Sequence, residues 1–250
     1  MNVQTRKQRE VAERHSLFLS IGRELLESDG FNNLSMDGIA EIAEYSKGTV
    51  YQHFKCKEEV LIQLCNQCVT ELIALFKRAS QFNGNHRERL VSMFFAHDLW
   101  AHLNPTRFAM IQTLHADGIK DKVDVASLTE HNQLEAELIS IVSGVVQDAA
   151  NQGYLKLDES LNPVELVFGL WSLSYGGQLL QGYDIPLKDL GVRDPGQVLI
   201  RIASAILDGL GWMPLSSDFD YQHTLNRLAT ELFTDEVSTL KALKDCHASN

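Results

Sequence analysis

Ser35-Met-Asp-Gly-Ile-Ala-Glu-Ile-Ala-Glu-Tyr-Ser-Lys-Gly-Thr-Val-Tyr-Gln-His-Phe54 is the stretch that decides the fold. Met36, Ile39, Ala40 and Ala43 recur at helical spacing behind Ser35, a residue whose hydroxyl suits an N-cap. Ser46 can cap a second short helix in which Val50 and Phe54 lie four apart on one face. Two helices of about two turns each, joined at Glu44-Tyr45, have the geometry of a helix-turn-helix. The first packs through Ile39, Ala40 and Ala43, and its alanines let the second approach closely. The second needs only Val50 and Phe54 to hold it down. Lys47, Gly48, Thr49, Tyr51, Gln52 and His53 are left facing outward, a lysine, hydroxyls and an amide on a narrow helix suited to a DNA major groove.

Outward from this stretch the chain reads as helix almost throughout. Val11, Leu17, Phe18, Ile21 and Leu25 mark a first helix that Gly30 stops, with Phe31 folding back on its end. From Lys57 a longer helix runs to about Ser80, its apolar stripe including Val60, Leu64, Cys68, Ile73 and Phe76. Further amphipathic stretches cover about 87–103, 106–116, 125–151, 163–181, 195–210 and 218–244. Asn104-Pro105, Asn162-Pro163 and Asp194-Pro195 each place a capping residue before a proline at the first helical position. Ala149 to Pro163 and Gly176 to Pro195 read as loops around the late helices. No alternating strand and no internal repeat stands out. The fold class is therefore all-α, with a helix-turn-helix domain over 1–57 (motif 35–54) and a helical domain over 58–250.

Charge supports that division. The 250 residues carry a formal net charge of −11, which at first argues against nucleic acid. Residues 1–57 hold eight Lys/Arg and eight Asp/Glu, so the whole excess falls on 58–250. Ser46 to Lys57 contains three lysines and no acid, and Arg6, Lys7, Arg9 and Arg14 outnumber Glu10 and Glu13 at the start. A neutral head with basic spots can dock on phosphate while the acidic body is repelled, which helps to set orientation. No run of about 18 apolar residues suggests a membrane span, and the polar start lacks the apolar core of a secretion signal. Four cysteines are too few for a disulfide framework. The expectation is a cytoplasmic protein.

Residues from about Arg9 to Leu64 resemble the DNA-binding domain of the TetR (tetracycline-repressor-like) family. The residues that carry the likeness are Gly30-Phe31, Ser35-Met36, Ile39-Ala40, Ala43, then Ser46-Lys-Gly-Thr-Val-Tyr-Gln-His-Phe54, and Lys57-Glu58-Glu59-Val60-Leu61. The resemblance covers the first quarter of the chain. It implies a homodimer, joined by its last large helices, that represses transcription and is released by a small ligand in its C-terminal domain. The chain departs from the family at Glu44, where the family usually has a glycine that permits positive φ; a side chain there is strained.

The candidate site follows from motif and chemistry together. Ser46, Lys47 and Lys57, with backbone amides at the starts of the third and fourth helices, are expected on phosphate. Ser35 and Gly48 belong to the same expected DNA-binding set. Thr49 and Gln52 are candidates for base edges, and Tyr51 and His53 for the sugar-phosphate backbone. Trp100, Phe108, Met110, Trp171, Tyr175 and Gln178 are candidate walls of an effector pocket, which is typically apolar with a few polar groups; taken alone, each position reads better as ordinary core. The apolar faces of 163–181 and 195–210 suit a four-helix dimer interface. Cys65 and Cys68 lie one helical turn apart, where Cβ atoms are about 5–6 Å apart and a disulfide needs about 3.8 Å, so buried thiols are expected. His97, His102, His115 and His131 show no tight ligand spacing, and no metal or cofactor is implied. No nucleophile elbow, phosphate-cradling glycine loop or zincin motif points to an enzyme. The rival reading is a small-molecule-binding or adaptor protein with a non-functional helix-turn-helix.

Overall fold

A computed structural model describes residues 5–115, 118–157, 160–181 and 187–248. Positions 158–159 and 182–186 of the expected loops, and 1–4 of the basic start, lie outside the described residues. Among the described residues there are helices and no strand: α1 (Arg6–Asn33), α2 (Met36–Ile42), α3 (Lys47–Tyr51), α4 (Lys57–Ser80), α5 (His86–Leu103), α6 (Pro105–Leu114), α7 (Val125–Asn151), α8 (Pro163–Gln181), α9 (Pro195–Gly209), α10 (Tyr221–Arg227) and α11 (Thr234–Ala248). The chain forms two compact units. The first is the chain up to Thr70 with Asn104–Glu135; the second is Glu71–Leu103 with the chain from Ala136 onward.

In the first unit the core is built from Phe18, Ile39, Val50, Phe54, Leu61 and Leu64, all essentially inaccessible to water. Gly22 sets the approach of α1 to α4: a Cβ there would stand 2.6 Å from the Val60 side chain. α1 stops being helical at Gly30, whose φ of 76° and ψ of 170° break the coil where the sequence places a stop. Val11 and Leu17, expected on the apolar stripe of this helix, are instead exposed, because the buried face of α1 begins only at Phe18. Cys65 and Cys68 are buried on α4 and no disulfide joins them; burial pushes the Cys65 thiol well above its usual range. By length and composition α4 could cross a membrane, but 67% of that window is buried in the fold.

In the second unit Leu90, Val146, Leu166, Leu170, Leu207 and Trp212 form the centre of the core. Two of the three expected proline-preceding caps form. Asn162 Oδ1 accepts the amides of Val164 and Glu165 while Glu165 reaches back to the Asn162 N–H, and Asp194 accepts from Gln197 N–H. At Asn104, in the first unit, the side chain takes Arg107 (3.2 Å) rather than the helix amides. The stretch expected as one helix over 218–244 is broken: α10 passes into a π-helical turn over Leu228–Leu232, and Phe233 leaves helical geometry before α11 begins. Phe233 is fully buried, so the break turns a large side chain inward.

Arg87 ties this C-terminal region to α5. Its guanidinium is 0% exposed and donates to Asp208 Oδ1 (2.6 Å), to the carbonyls of Trp212, Pro214 and Ser204, and to Ser216 Oγ. It also lies 4.5 Å from the Tyr221 ring centre. Beside it, Glu88 accepts the Thr224 hydroxyl at 2.8 Å. A buried cation is costly unless it is paired and hydrogen-bonded; both terminal nitrogens of Arg87 are engaged, while its buried Nε has no partner among the described residues. Arg87→Ala strands those acceptors, and a loss of about 3–5 kcal/mol is expected in denaturant unfolding.

A second link joins α5 to α8. His102 Nδ1 donates to the Asp98 carbonyl (2.8 Å) and lies 3.4 Å from the Asp98 carboxylate, while Nε2 faces Gln181 Oε1 at 3.3 Å. With acceptors at both ring nitrogens, the Asp98 contact foremost, the imidazole is held up at about 9. A raised pKa contributes stability that is complete below the unfolded value near 6.5 and lost as pH climbs through about 9. Allowing for solvent screening, about 1 kcal/mol of stability should disappear between pH 6 and pH 9.5. His102→Gln should flatten that part of the profile.

Candidate nucleic-acid interface

The turn between α2 and α3 is a Schellman motif. The Tyr45 N–H reaches back to the Ala40 carbonyl (3.0 Å) and the Glu44 N–H to that of Glu41 (3.2 Å), which satisfies the carbonyls that end α2. Glu44 sits at the left-handed position with φ 57° and is the non-glycine residue with positive φ among the described residues. Tyr45 then places its ring edge-on to Phe18, 5.4 Å between centres, anchoring the exit of the turn to α1. Ser35 and Ser46 cap as expected: Ser35 Oγ accepts Gly38 N–H at 3.0 Å and Ser46 Oγ accepts Thr49 N–H at 3.2 Å.

α3 has only five residues and spends one of them, Val50, on the core, with Phe54 buried just beyond it. Ser46, Lys47, Gly48, Tyr51 and Gln52 are exposed, and Ser35 is exposed on the adjoining cap. Thr49 is half-buried, its hydroxyl 2.8 Å from Ser46 Oγ. Lys47 Nζ lies 2.5 Å from Asp37 Oδ2, both side chains well exposed, and that hydrogen bond raises the lysine above its usual pKa. The lysine thus stays charged and is held to the motif by a contact that water and salt can loosen.

Besides Thr49, two of the residues expected to contact DNA are less exposed than the motif suggests. His53 is half-buried: its ring stands edge-on to Phe18 (5.2 Å) and 5.6 Å from the ring of His15. Burial, then the nearby His15 and Arg14, lower its pKa, so it presents a neutral ring at neutral pH. Lys57 turns toward the end of α1, donating to the carbonyls of Phe31 (3.0 Å) and Asn32 (3.4 Å) and lying 4.5 Å from the Phe31 ring centre. These contacts lock the start of α4 to the Gly30 corner.

Residues outside the motif also shape the site. His15 stacks on Phe54 at 4.6 Å and meets Gln63 at 2.7 Å, bringing α1 against the end of α3. Its place three residues before Phe18 is the only sequence signal for that role. Lys55 is exposed just past α3, 3.9 Å from Asp124. Of the expected pocket walls, Phe108 and Met110 are buried in the first unit, and Trp100 in the second. Trp171 is exposed, Tyr175 is half-buried, and Gln178 donates to Asp98 at 2.6 Å, all three in the second unit.

Residues 18–64 match the family model described as bacterial regulatory proteins of the tetR family. No curated protein matches the chain in sequence. Among solved structures, a tetR-family regulatory protein from Rhodococcus RHA1 is 16% identical with a TM-score of 0.59, the alignment covering 79% of this chain and 97% of that one. The TetR-family regulator PfmR from Thermus thermophilus is 19% identical with a TM-score of 0.56, covering 77% and 98%. The ketosteroid transcriptional regulator KstR2 of Mycobacterium tuberculosis is 17% identical with a TM-score of 0.54, covering 79% and 94%. At these identities the likeness is one of fold.

Left-handed backbone costs a non-glycine residue roughly 1–2 kcal/mol, and glycine's extra unfolded freedom takes back about 0.5–1 kcal/mol. Glu44→Gly is therefore expected to raise stability by about 0.5–1 kcal/mol, read as a higher denaturant midpoint with unchanged slope. Glu44→Val, β-branched at the same φ, should lower it.

Proposed function

We propose, on the match of residues 18–64 to the model of bacterial regulatory proteins of the tetR family, that the protein is a cytoplasmic, ligand-responsive transcriptional repressor. It binds a palindromic operator in double-stranded DNA as a homodimer and lets go when a small molecule binds its helical domain. The observation that carries this reading is the exposed face of α3, with Lys47, Gly48, Tyr51 and Gln52 on a helix fixed from behind by Val50 and Phe54.

The roles follow from reach and chemistry. Ser35, Ser46 and Lys47 contact phosphate, Lys47 by exchanging Asp37 for the backbone. Thr49 and Gln52 read base edges, Tyr51 packs on the sugar-phosphate chain, and Gly48 keeps the helix close. His53 and Lys57 act by fixing the motif: His53 braces α3 against α1, and Lys57 positions α4, whose first backbone amides serve phosphate.

A second copy is supported by the outer faces of α8 and α9. Val164, Phe168, Trp171 and Leu179 on α8, and Val198, Ile202 and Ile206 on α9, are exposed large apolar side chains at helical spacing, Phe168 at 63%. Such rows suit a four-helix interface. Two heads then reach successive major grooves about 34–36 Å apart, as one short recognition helix alone cannot do.

Selection of bound genomic fragments is expected to enrich a palindromic duplex. Lys47→Ala should weaken binding to every duplex and reduce the salt slope by about 1 per head, whereas Gln52→Ala should alter which bases are preferred. Recovery of no preferred duplex would favour the adaptor reading instead.

A further inference from the structure

Within the second unit, α5, α8, α9 and α10 line a partly open cavity of about 60 Å³, room for the centres of about four to six water-sized atoms. Its walls are mainly apolar, with Phe94, Phe95, Leu173, Leu199, Ala203 and Leu207 among them. Polar character is confined to Asp98, Ser174 and Ser204. We propose that this cavity is the effector site, and that it takes a small uncharged molecule, ring-sized and mostly apolar, whose single hydroxyl donates to Asp98. The assignment rests on the regulator reading for the word effector, but not for the binding itself.

The charge balance around the cavity selects against ions. Asp98 Oδ1 accepts from Gln178 Nε2 at 2.6 Å and Oδ2 lies 3.4 Å from His102 Nδ1, so the carboxylate is already matched by a cationic imidazole. His97, whose Nδ1 lies 3.2 Å from Ser174 Oγ, is kept neutral by burial, its pKa pressed down to about 4. An anion would face Asp98, and a cation would compete with His102 for a carboxylate already neutralised. Either would strand charge among apolar walls. A carboxylate offers about four acceptor positions; Gln178 occupies one and the His102 imidazole lies against a second, so two remain, one of which a ligand hydroxyl can fill. A donor-free hydrocarbon would gain burial but lose that orientation.

The cavity also has a route to the dimer. α8 and α9 supply its walls through Leu173, Leu199 and Ala203 and carry on their outer faces the exposed apolar rows that suit a second copy. Filling the space between them changes how those rows are presented, and α5 is tied to the same helices by the Asp98 and Arg87 contacts.

Ligand-observed NMR titration of the full chain with phenol, toluene, benzoate and benzylamine tests the site. Phenol should bind in the millimolar range or tighter, toluene several-fold more weakly, and the two ions not measurably. Ala203→Phe, which fills the cavity, should weaken phenol at least tenfold, and Leu199→Ala, which enlarges it, should strengthen it several-fold. If Ala203→Phe does not fold, Leu199→Ala carries the comparison. Equal binding of all four probes, or phenol binding indifferent to Leu199→Ala, would overturn the site. Phenol bound as described but without effect on affinity for the duplex recovered from genomic selection would overturn its role as effector. Failure to recover any such duplex would instead strike the regulator reading and leave the binding result standing.

Discussion

Five residues of helix cannot hold themselves together in water, because nucleation is costly and isolated helices need roughly 12–15 residues to be even marginal. The surface assigned to DNA is borne by such a helix, α3. Its existence depends on the burial of Val50 and Phe54, each large side chain contributing about 1.5–3 kcal/mol, with Phe54 stacked on His15 of α1. The Ser46 cap and the Schellman turn at Glu44 complete the constraint by fixing where α3 begins. Because so few of its residues are needed for packing, the remainder are available for recognition.

Electrostatics work at two ranges around that helix. Close in, Lys47 is held by Asp37 and burial lowers the pKa of His53, so the exposed face of α3 carries its positive charge on Lys47 and is backed by packed rings. Farther out, the excess negative charge falls after residue 57. On the proposed reading, that excess would repel a polyanion away from the lysines of the first 57 residues, orienting approach more than adding affinity.

The motif was legible because each of its local signals points the same way. Ser35 and Ser46 cap, Gly30 ends α1 and Glu44 takes positive φ, and each is a short-range consequence of backbone chemistry. The all-helical class followed from periodicity for the same reason. What could not be seen from spacing were contacts made across the chain. Nothing in the spacing shows that Lys57, read as a phosphate ligand, also meets the Phe31 ring and carbonyl. His53 reads as exposed until α1 brings His15 and Phe18 against it. Val11 and Leu17 fit the helical stripe but lie before its buried part, and the break at Phe233 interrupts a pattern that periodicity alone continues. The cavity is the clearest case: Asp98, which lines it, and Gln178 are 80 residues apart and meet only when α5 and α8 pack.

Backbone amide chemical shifts, followed as the genomically selected duplex is added, test most directly whether α3 is the DNA-reading element. The largest changes are expected over Ser46–Gln52 and the Ser35 cap, fading as salt is raised. Changes centred on the second unit, with the α3 amides unmoved at saturation, would contradict the assignment.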